Sequence, residues 1–198
     1  GRYAPIPSGY LHLGNARTAL LAWWHARQAR GSFVLRMDDL DPDRSKPDVA
    51  AGILSDLRWL GIDWDEGPDV GGPSGPYNQS QRGSLYRQAL ERLREARRIY
   101  PCWCTRAEVR RAATAPHGRP GSAHVYPGTC RPRDHEAWRR ADQPLDATGL
   151  RDRAPAWRFA VEPGLTVVPD LLAGNTAVDV AHEVGDFIVR RSDGVAAY

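Results

Sequence analysis

Over its first hundred residues the chain alternates extended and helical segments, and that alternation restricts the fold more than any other feature. Residues 1–7 carry Pro5 and Pro7, which exclude a helix and leave an extended segment. Ala16, Leu20, Trp23, Trp24 and Arg27 recur at helical spacing. A helix is therefore expected from about Gly14 to Arg30, with Gly31 as its stop and both tryptophans in the core. Ser32–Met37 reads as a strand that ends in the acidic cluster Asp38, Asp39 and Asp41. A second helix opens at Pro47, presents Ala50, Ile53, Leu54, Leu57 and Leu60 on one side, and closes at Gly61. Residues 65–78 form a loop rich in Gly, Pro and Asp. A third helix from about Ser80 to Arg97 follows, its apolar stripe Leu85, Ala89, Leu90 and Leu93, and then a strand from Arg98 to Trp103. Strands and helices in alternation favour an α/β fold, a parallel sheet joined by crossover helices.

The texture then changes. Thr105 and Glu108 make a capping box for a short helix, and residues 114–131 are rich in Gly, Pro and His with almost no large aliphatic side chains. Such a stretch needs a staple if it is to fold. Strand-like pieces return at Ala156–Val161, Leu165–Val168 and Asp186–Arg191, and Asp193-Gly194 is a hairpin-turn dipeptide. The expected organisation is a first half of a nucleotide-type fold at 1–100, an inserted α+β module at 101–185, and the start of a second half at 186–198, rejoining the first domain. A mean hydropathy of −0.54 and 26% charged residues argue against a membrane protein, as does the lack of any run near the roughly 20 apolar residues a span requires. The start has no secretory pattern, so a cytoplasmic location is expected. A net charge of +3 is compatible with nucleic-acid binding without arguing for it.

Three cysteines cannot make a paired disulfide framework. Cys102, Cys104 and Cys130 fall where the sequence is poorest in core residues, which points to a metal. Three thiolates and one further ligand close a tetrahedral zinc site, one ion per chain, and the ion supplies folding energy the segment lacks. Tyr126, His124, His117 and His135 all compete for the fourth position. Near the start, residues 4–15 place an extended segment and a glycine bend before a helix N-terminus, where backbone N–H groups and the helix dipole attract phosphate. His12 and Asn15 offer donors there and Gly14 lets a ligand approach, although His12 also suits a simple polar cap. The pairs Arg97-Arg98, Arg110-Arg111, Arg139-Arg140 and Arg190-Arg191 suit either an RNA backbone or a solvated helix face.

The string from Arg2 through His12-Leu13-Gly14-Asn15 to Leu20 resembles the opening of glutamyl-tRNA synthetases and their short glutamyl-queuosine branch, class I aminoacyl-tRNA synthetases. The likeness continues in order through Arg36-Met37-Asp38-Asp39-Leu40-Asp41, Gly61-Ile62-Asp63-Trp64-Asp65, Gln79-Ser80-Gln81-Arg82 and Asp186–Tyr198. It implies a Rossmann-like nucleotide-binding fold with an inserted zinc-containing module. It also implies ATP, with Mg²⁺, at His12, Gly14 and Asn15, the counterpart of the family's HIGH signature. Glutamate falls to Arg2, Ala4, Asp38 and Tyr198, where a guanidinium meets a carboxylate and a carboxylate meets the ammonium. The Tyr126-Pro-Gly-Thr-Cys130 pattern of the glutamyl-queuosine branch implies zinc on Cys102, Cys104, Tyr126 and Cys130. The implied reaction makes glutamyl-AMP and passes glutamate to queuosine of tRNA(Asp). The alternatives are the charging of tRNA(Glu) and, from another class, a zinc-stabilised RNA-binding module without catalysis. No acid, base or nucleophile is assigned. Two departures touch the amino-acid pocket: Ile6 stands where the family has serine, and Asp38 where it has glutamate. The family's second, lysine-bearing ATP signature has no counterpart, since Lys46 is the only lysine. The sequence is thus expected to be truncated at both ends and inactive in pyrophosphate exchange by itself.

Overall fold

Buried aliphatic residues on a central extended segment organise the N-terminal part of the protein. In this computed structural model, which describes residues 1–113, 125–147 and 154–197, the chain forms two compact units, Gly1–Tyr86 and Arg87–Tyr198. In the first, strand β1 (Arg2–Tyr3) runs parallel to β2 (Val34–Leu35). The segment around β2 is bonded on both sides: Arg36 N–H donates to Tyr3 O, Leu35 N–H to Glu66 O and Met37 N–H to Tyr77 O. Parallel bridges Val34–Glu66 and Met37–Asn78 extend the arrangement, so the expected parallel sheet is present in a short form. Helices α1 (Leu13–Gln28) and α2 (Pro47–Trp59) cover it, with Phe33, Leu35, Met37, Val49, Ile53, Leu57 and Ile62 as the core.

Helix α1 does not bury the stripe its larger residues suggest. Ala19 and Ala26 are its buried residues, with Ala22 and Trp23 partly buried, while Leu20 and Leu21 are exposed and Trp24 is 61% exposed. Small side chains let the helix approach the sheet closely, and the large residues are left outside. Trp24 therefore corrects the expectation of two core tryptophans. Helix α3 (Gly83–Glu95) follows a 3₁₀ turn at Gln79–Arg82 and buries Leu90 alone of its stripe, with Leu93 partly buried. The two units divide inside α3, between Tyr86 and Arg87, whereas the sequence reading draws its boundary at residue 100.

The second unit is built on an antiparallel sheet of β3 (Ile99–Cys102), β4 (Ala156–Phe159) and β7 (Ile188–Arg190), in the order β3-β4-β7. One correction follows. The strand expected over Arg98–Trp103 belongs to this antiparallel sheet rather than a parallel one, because its partner lies more than fifty residues downstream and local pattern cannot reveal it. The strand near 186 is bonded to β4. Trp157 is fully buried and donates its indole N–H to Leu145 O at 3.2 Å. Tyr100, Cys102, Tyr126 and Ala160 form a separate core cluster, flanked by Cys104, Val109, Cys130 and Trp138. Helices α4 (Arg106–Ala113), α5 (His135–Ala141) and α6 (Val180–Glu183) and the hairpin β5 (Leu165–Asp170) with β6 (Gly174–Asp179) complete the unit. All of β5 and most of β6 are exposed, as are Leu171 and Leu172 at the tip. Asp193-Gly194 makes the expected turn, with Gly194 N–H donating to Arg191 O and Arg191 N–H to Val195 O. No helix among the described residues is long and apolar enough to cross a membrane.

Candidate functional site

At the N-terminus of α1 the local chemistry is a capping box. His12 Nδ1 accepts from the N–H of Gly14 at 3.1 Å, and Asn15 Oδ1 accepts from the N–H of His12 at 3.4 Å. A Cβ at Gly14 would lie 2.9 Å from the imidazole, so glycine is what lets the ring fold over the helix start. His12 is thus a cap by one nitrogen, and it remains exposed with Gly14 at an N-terminus whose amides favour an anion. Ala4 follows β1 and Asp38 follows β2, and Asp38 N–H donates to Pro5 O at 2.9 Å. Both therefore lie at the carboxyl ends of parallel strands, where open α/β sheets bind ligands. Arg2 is exposed and makes no hydrogen bond or ion pair among the described residues. Asp38 is buried and holds Arg36 by two bonds, Nε to Oδ1 at 2.8 Å and Nη2 to Oδ2 at 3.3 Å, a partner that sequence reasoning missed. Asp39 accepts from the N–H and hydroxyl of Ser80, at 2.9 and 2.6 Å, tying the acidic segment to the Gln79–Arg82 turn. Tyr198 lies outside the described residues.

In the second unit the three cysteines meet. Their sulfurs all lie within 4.8 Å of one another, with Cys104 Sγ 3.6 Å from Cys130 Sγ. The Tyr126 hydroxyl lies 3.4 Å from Cys102 Sγ and 3.7 Å from Cys104 Sγ, and accepts from Cys130 N–H at 2.8 Å. Zinc–sulfur bonds of about 2.3 Å set tetrahedral S···S edges of roughly 3.8 Å, so the donor set fits such an ion with the phenol oxygen as fourth vertex. Of the competing histidines, His135 is exposed on α5 and outside the cluster, and His117 and His124 lie outside the described residues. Protonation is shared among these groups. The hydrogen bond from Cys102 holds Cys130 down to about 6, while the bond to Cys130 and burial push Cys102 up to about 12. Burial, then its bonds to the cysteines, raises Tyr126.

The cluster rests on two charged residues that sequence reasoning did not single out. Arg158, 8% exposed on β4, donates from Nε to Cys102 Sγ at 3.3 Å and from Nη1 to Asp186 O at 2.7 Å. Its guanidinium lies over the Tyr126 ring, 3.7 Å from the centroid. The Asp186 carboxylate is engaged elsewhere, by Arg131 at 2.8 Å, the Tyr100 hydroxyl at 2.5 Å and Val161 N–H at 2.8 Å. The one sequence signal is Arg158 lying between aromatic residues in a strand-like run, and spacing gives it no partner.

The family model for tRNA synthetases class I (E and Q), catalytic domain, matches residues 1–198. A glutamyl-Q tRNA(Asp) synthetase of Symbiobacterium thermophilum is 53% identical over 198 residues, covering 100% of this chain and 59% of that protein. One from Nitratidesulfovibrio vulgaris is 49% identical over 199 residues with the same coverage. A glutamate–tRNA ligase 2 of Acidithiobacillus ferrooxidans is 46% identical over 198 residues, all of this chain and 39% of the relative. Among solved structures, a glutamate-tRNA synthetase from Elizabethkingia anophelis superimposes with a TM-score of 0.75 at 27% identity, over 100% of this chain and 40% of that one. The chain therefore spans little more than half of the glutamyl-Q relatives and well under half of the ligases. With a parallel α/β unit at its start and a family match across its length, the chain belongs to the catalytic domain of the class I glutamyl- and glutaminyl-tRNA synthetases.

Proposed function

We propose that the protein carrying this sequence activates glutamate with ATP and transfers it to queuosine of tRNA(Asp). The observation that carries this reading is the identity to two glutamyl-Q tRNA(Asp) synthetases, 53% and 49% over the whole chain. In the first step the glutamate carboxylate attacks the α-phosphate of ATP in line, giving glutamyl-AMP and pyrophosphate. The protein's work is positioning and charge stabilisation. The open N-terminus of α1, with His12, Gly14 and Asn15, takes the ATP phosphates, which carry Mg²⁺. The unpaired Arg2 guanidinium takes a glutamate carboxylate, Ala4 lines the pocket, and Asp38, set by Arg36, faces the ammonium with Tyr198 in support. Zinc on Cys102, Cys104, Cys130 and Tyr126 would staple the inserted module. A cytoplasmic location is part of the same proposal.

The test uses a full-length protein containing this sequence, assayed for glutamate-dependent ATP–pyrophosphate exchange and then for transfer of labelled glutamate. Queuosine-bearing tRNA(Asp), the same tRNA lacking queuosine, and tRNA(Glu) are the acceptors. Labelling of the first alone is expected. Labelling of tRNA(Glu) would instead support the reading as a glutamate–tRNA ligase, which the 46% identity to one such ligase favours. ATP binding without exchange would leave only a non-catalytic RNA-binding role.

A further inference from the structure

Arg158 is a buried cation whose counter-charge is not a carboxylate. Guanidinium is always protonated, and a buried charge is tolerated when it is paired. Asp186 gives Arg158 only its backbone oxygen, because both of its carboxylate oxygens serve Arg131, Tyr100 and Val161. What Arg158 does face is a sulfur at 3.3 Å and the plane of a phenol ring at 3.7 Å. Both belong to the tetrahedral donor set. We propose that Arg158 is the counter-ion of the metal centre, orienting Cys102 and Tyr126 and balancing the excess negative charge of the ligands around zinc. Three thiolates on a divalent ion leave one net negative charge, and a phenolate adds another, so the ligand set supplies the anion that the guanidinium lacks. This inference rests on the zinc reading of the cysteine cluster. It adds a residue on β4, outside the donor set, whose charge governs how tightly the ion is held. Residues that contact metal ligands from outside commonly change affinity by about 10–100-fold when replaced.

The experiment compares full-length parent protein with Arg158→Lys, which keeps the charge, and Arg158→Gln, which keeps a donor and loses it. Zinc is titrated against a chromogenic chelator, and cobalt(II) is substituted to read the thiolate-to-metal absorption band. Circular dichroism of the zinc-loaded proteins reports folding. Arg158→Gln is expected to hold zinc about 10–100-fold more weakly, with Arg158→Lys between it and the parent. A shifted cobalt band is expected in both variants. An Arg158→Gln protein that binds zinc as the parent does overturns the proposal, and so does equal weakening in the two variants, which would make geometry rather than charge the cause. If Arg158→Gln does not fold, Arg158→Lys decides: parent-like affinity with an unshifted cobalt band overturns it. A parent that takes up no zinc overturns the metal reading itself and this inference with it, an outcome distinct from a change confined to the variants.

Discussion

Arg27 reaches two carboxylates at once, Asp65 at 2.7 Å and Asp63 at 3.0 Å, while Asp63 also accepts from the Trp23 indole and Asp65 from Phe33 N–H. These bonds lock α1 to the end of the β2 segment. They lower both acids below the ordinary value of 3.8, Asp63 through Trp23 first and Asp65 through Phe33 N–H first. A carboxylate depressed in the folded state contributes stability that is complete above its unfolded pKa and is lost as pH falls through the folded one. Asp65→Asn should therefore lower the melting temperature at pH 7, and the difference from the parent should shrink below about pH 4. A gap that persists unchanged into acid would assign the effect to packing instead. Arg2→Ala, in full-length enzyme, should weaken glutamate binding by about 1.5–3 kcal/mol, the usual worth of a charge-assisted contact, as calorimetric titration would show. Asp38→Ala should destabilise the fold by about 1–3 kcal/mol, because it leaves Arg36 without its partner, and chemical denaturation measures that loss. Spacing and composition alone make Cys102, Cys104 and Cys130 legible as one cluster. The pairings of Asp38 with Arg36 and Cys102 with Arg158 are not legible, because side-chain direction and a partner 56 residues away leave no periodic trace.

At the scale of elements, α2 and the hairpin turn at Asp193-Gly194 are the clearest in the sequence, since proline, glycine and a regular aliphatic stripe act locally. Helix α1 is equally visible, but its buried face is not: the pattern of large residues points to a packing surface that alanines form instead. Helix α5 and strand β6 carry too weak a pattern to announce themselves, β6 because it is mostly exposed on both faces. The turn after α6 shows where one residue controls an element's placement. Gly185 has φ +69°, and a Cβ there would sit 2.7 Å from Val125 Cγ1, beside the backbone of Tyr126. Gly185→Ala should cost about 1–3 kcal/mol through strain and collision together. Because the collision falls next to Tyr126, zinc uptake should weaken along with the melting temperature. A variant that loses stability and keeps parent zinc affinity would confine the effect to the turn.

The whole molecule has its cores in separate units, the aliphatic one in Gly1–Tyr86 and the aromatic and cysteine-rich ones in Arg87–Tyr198. A metal held by the second unit should stabilise that unit directly. Removing zinc with a chelator should split thermal unfolding into two calorimetric transitions, the earlier one reversed by adding zinc back. A single transition that ignores the chelator would deny the ion a structural role. The overall class of fold is legible because helices and strands alternate at the start, and the antiparallel pairing of β3 with β4 is not, because contact across more than fifty residues has no local signature. The β5–β6 hairpin has a consequence in time rather than in energy. Its six register pairs are bonded mainly to each other, with all of β5 in water, and a lone two-stranded ribbon is marginal there. It should open far more often than the sheet beside it, so its amide protons should trade with deuterium early, and a protease should nick the chain first at Leu171-Leu172 while β3 and β4 are still closed.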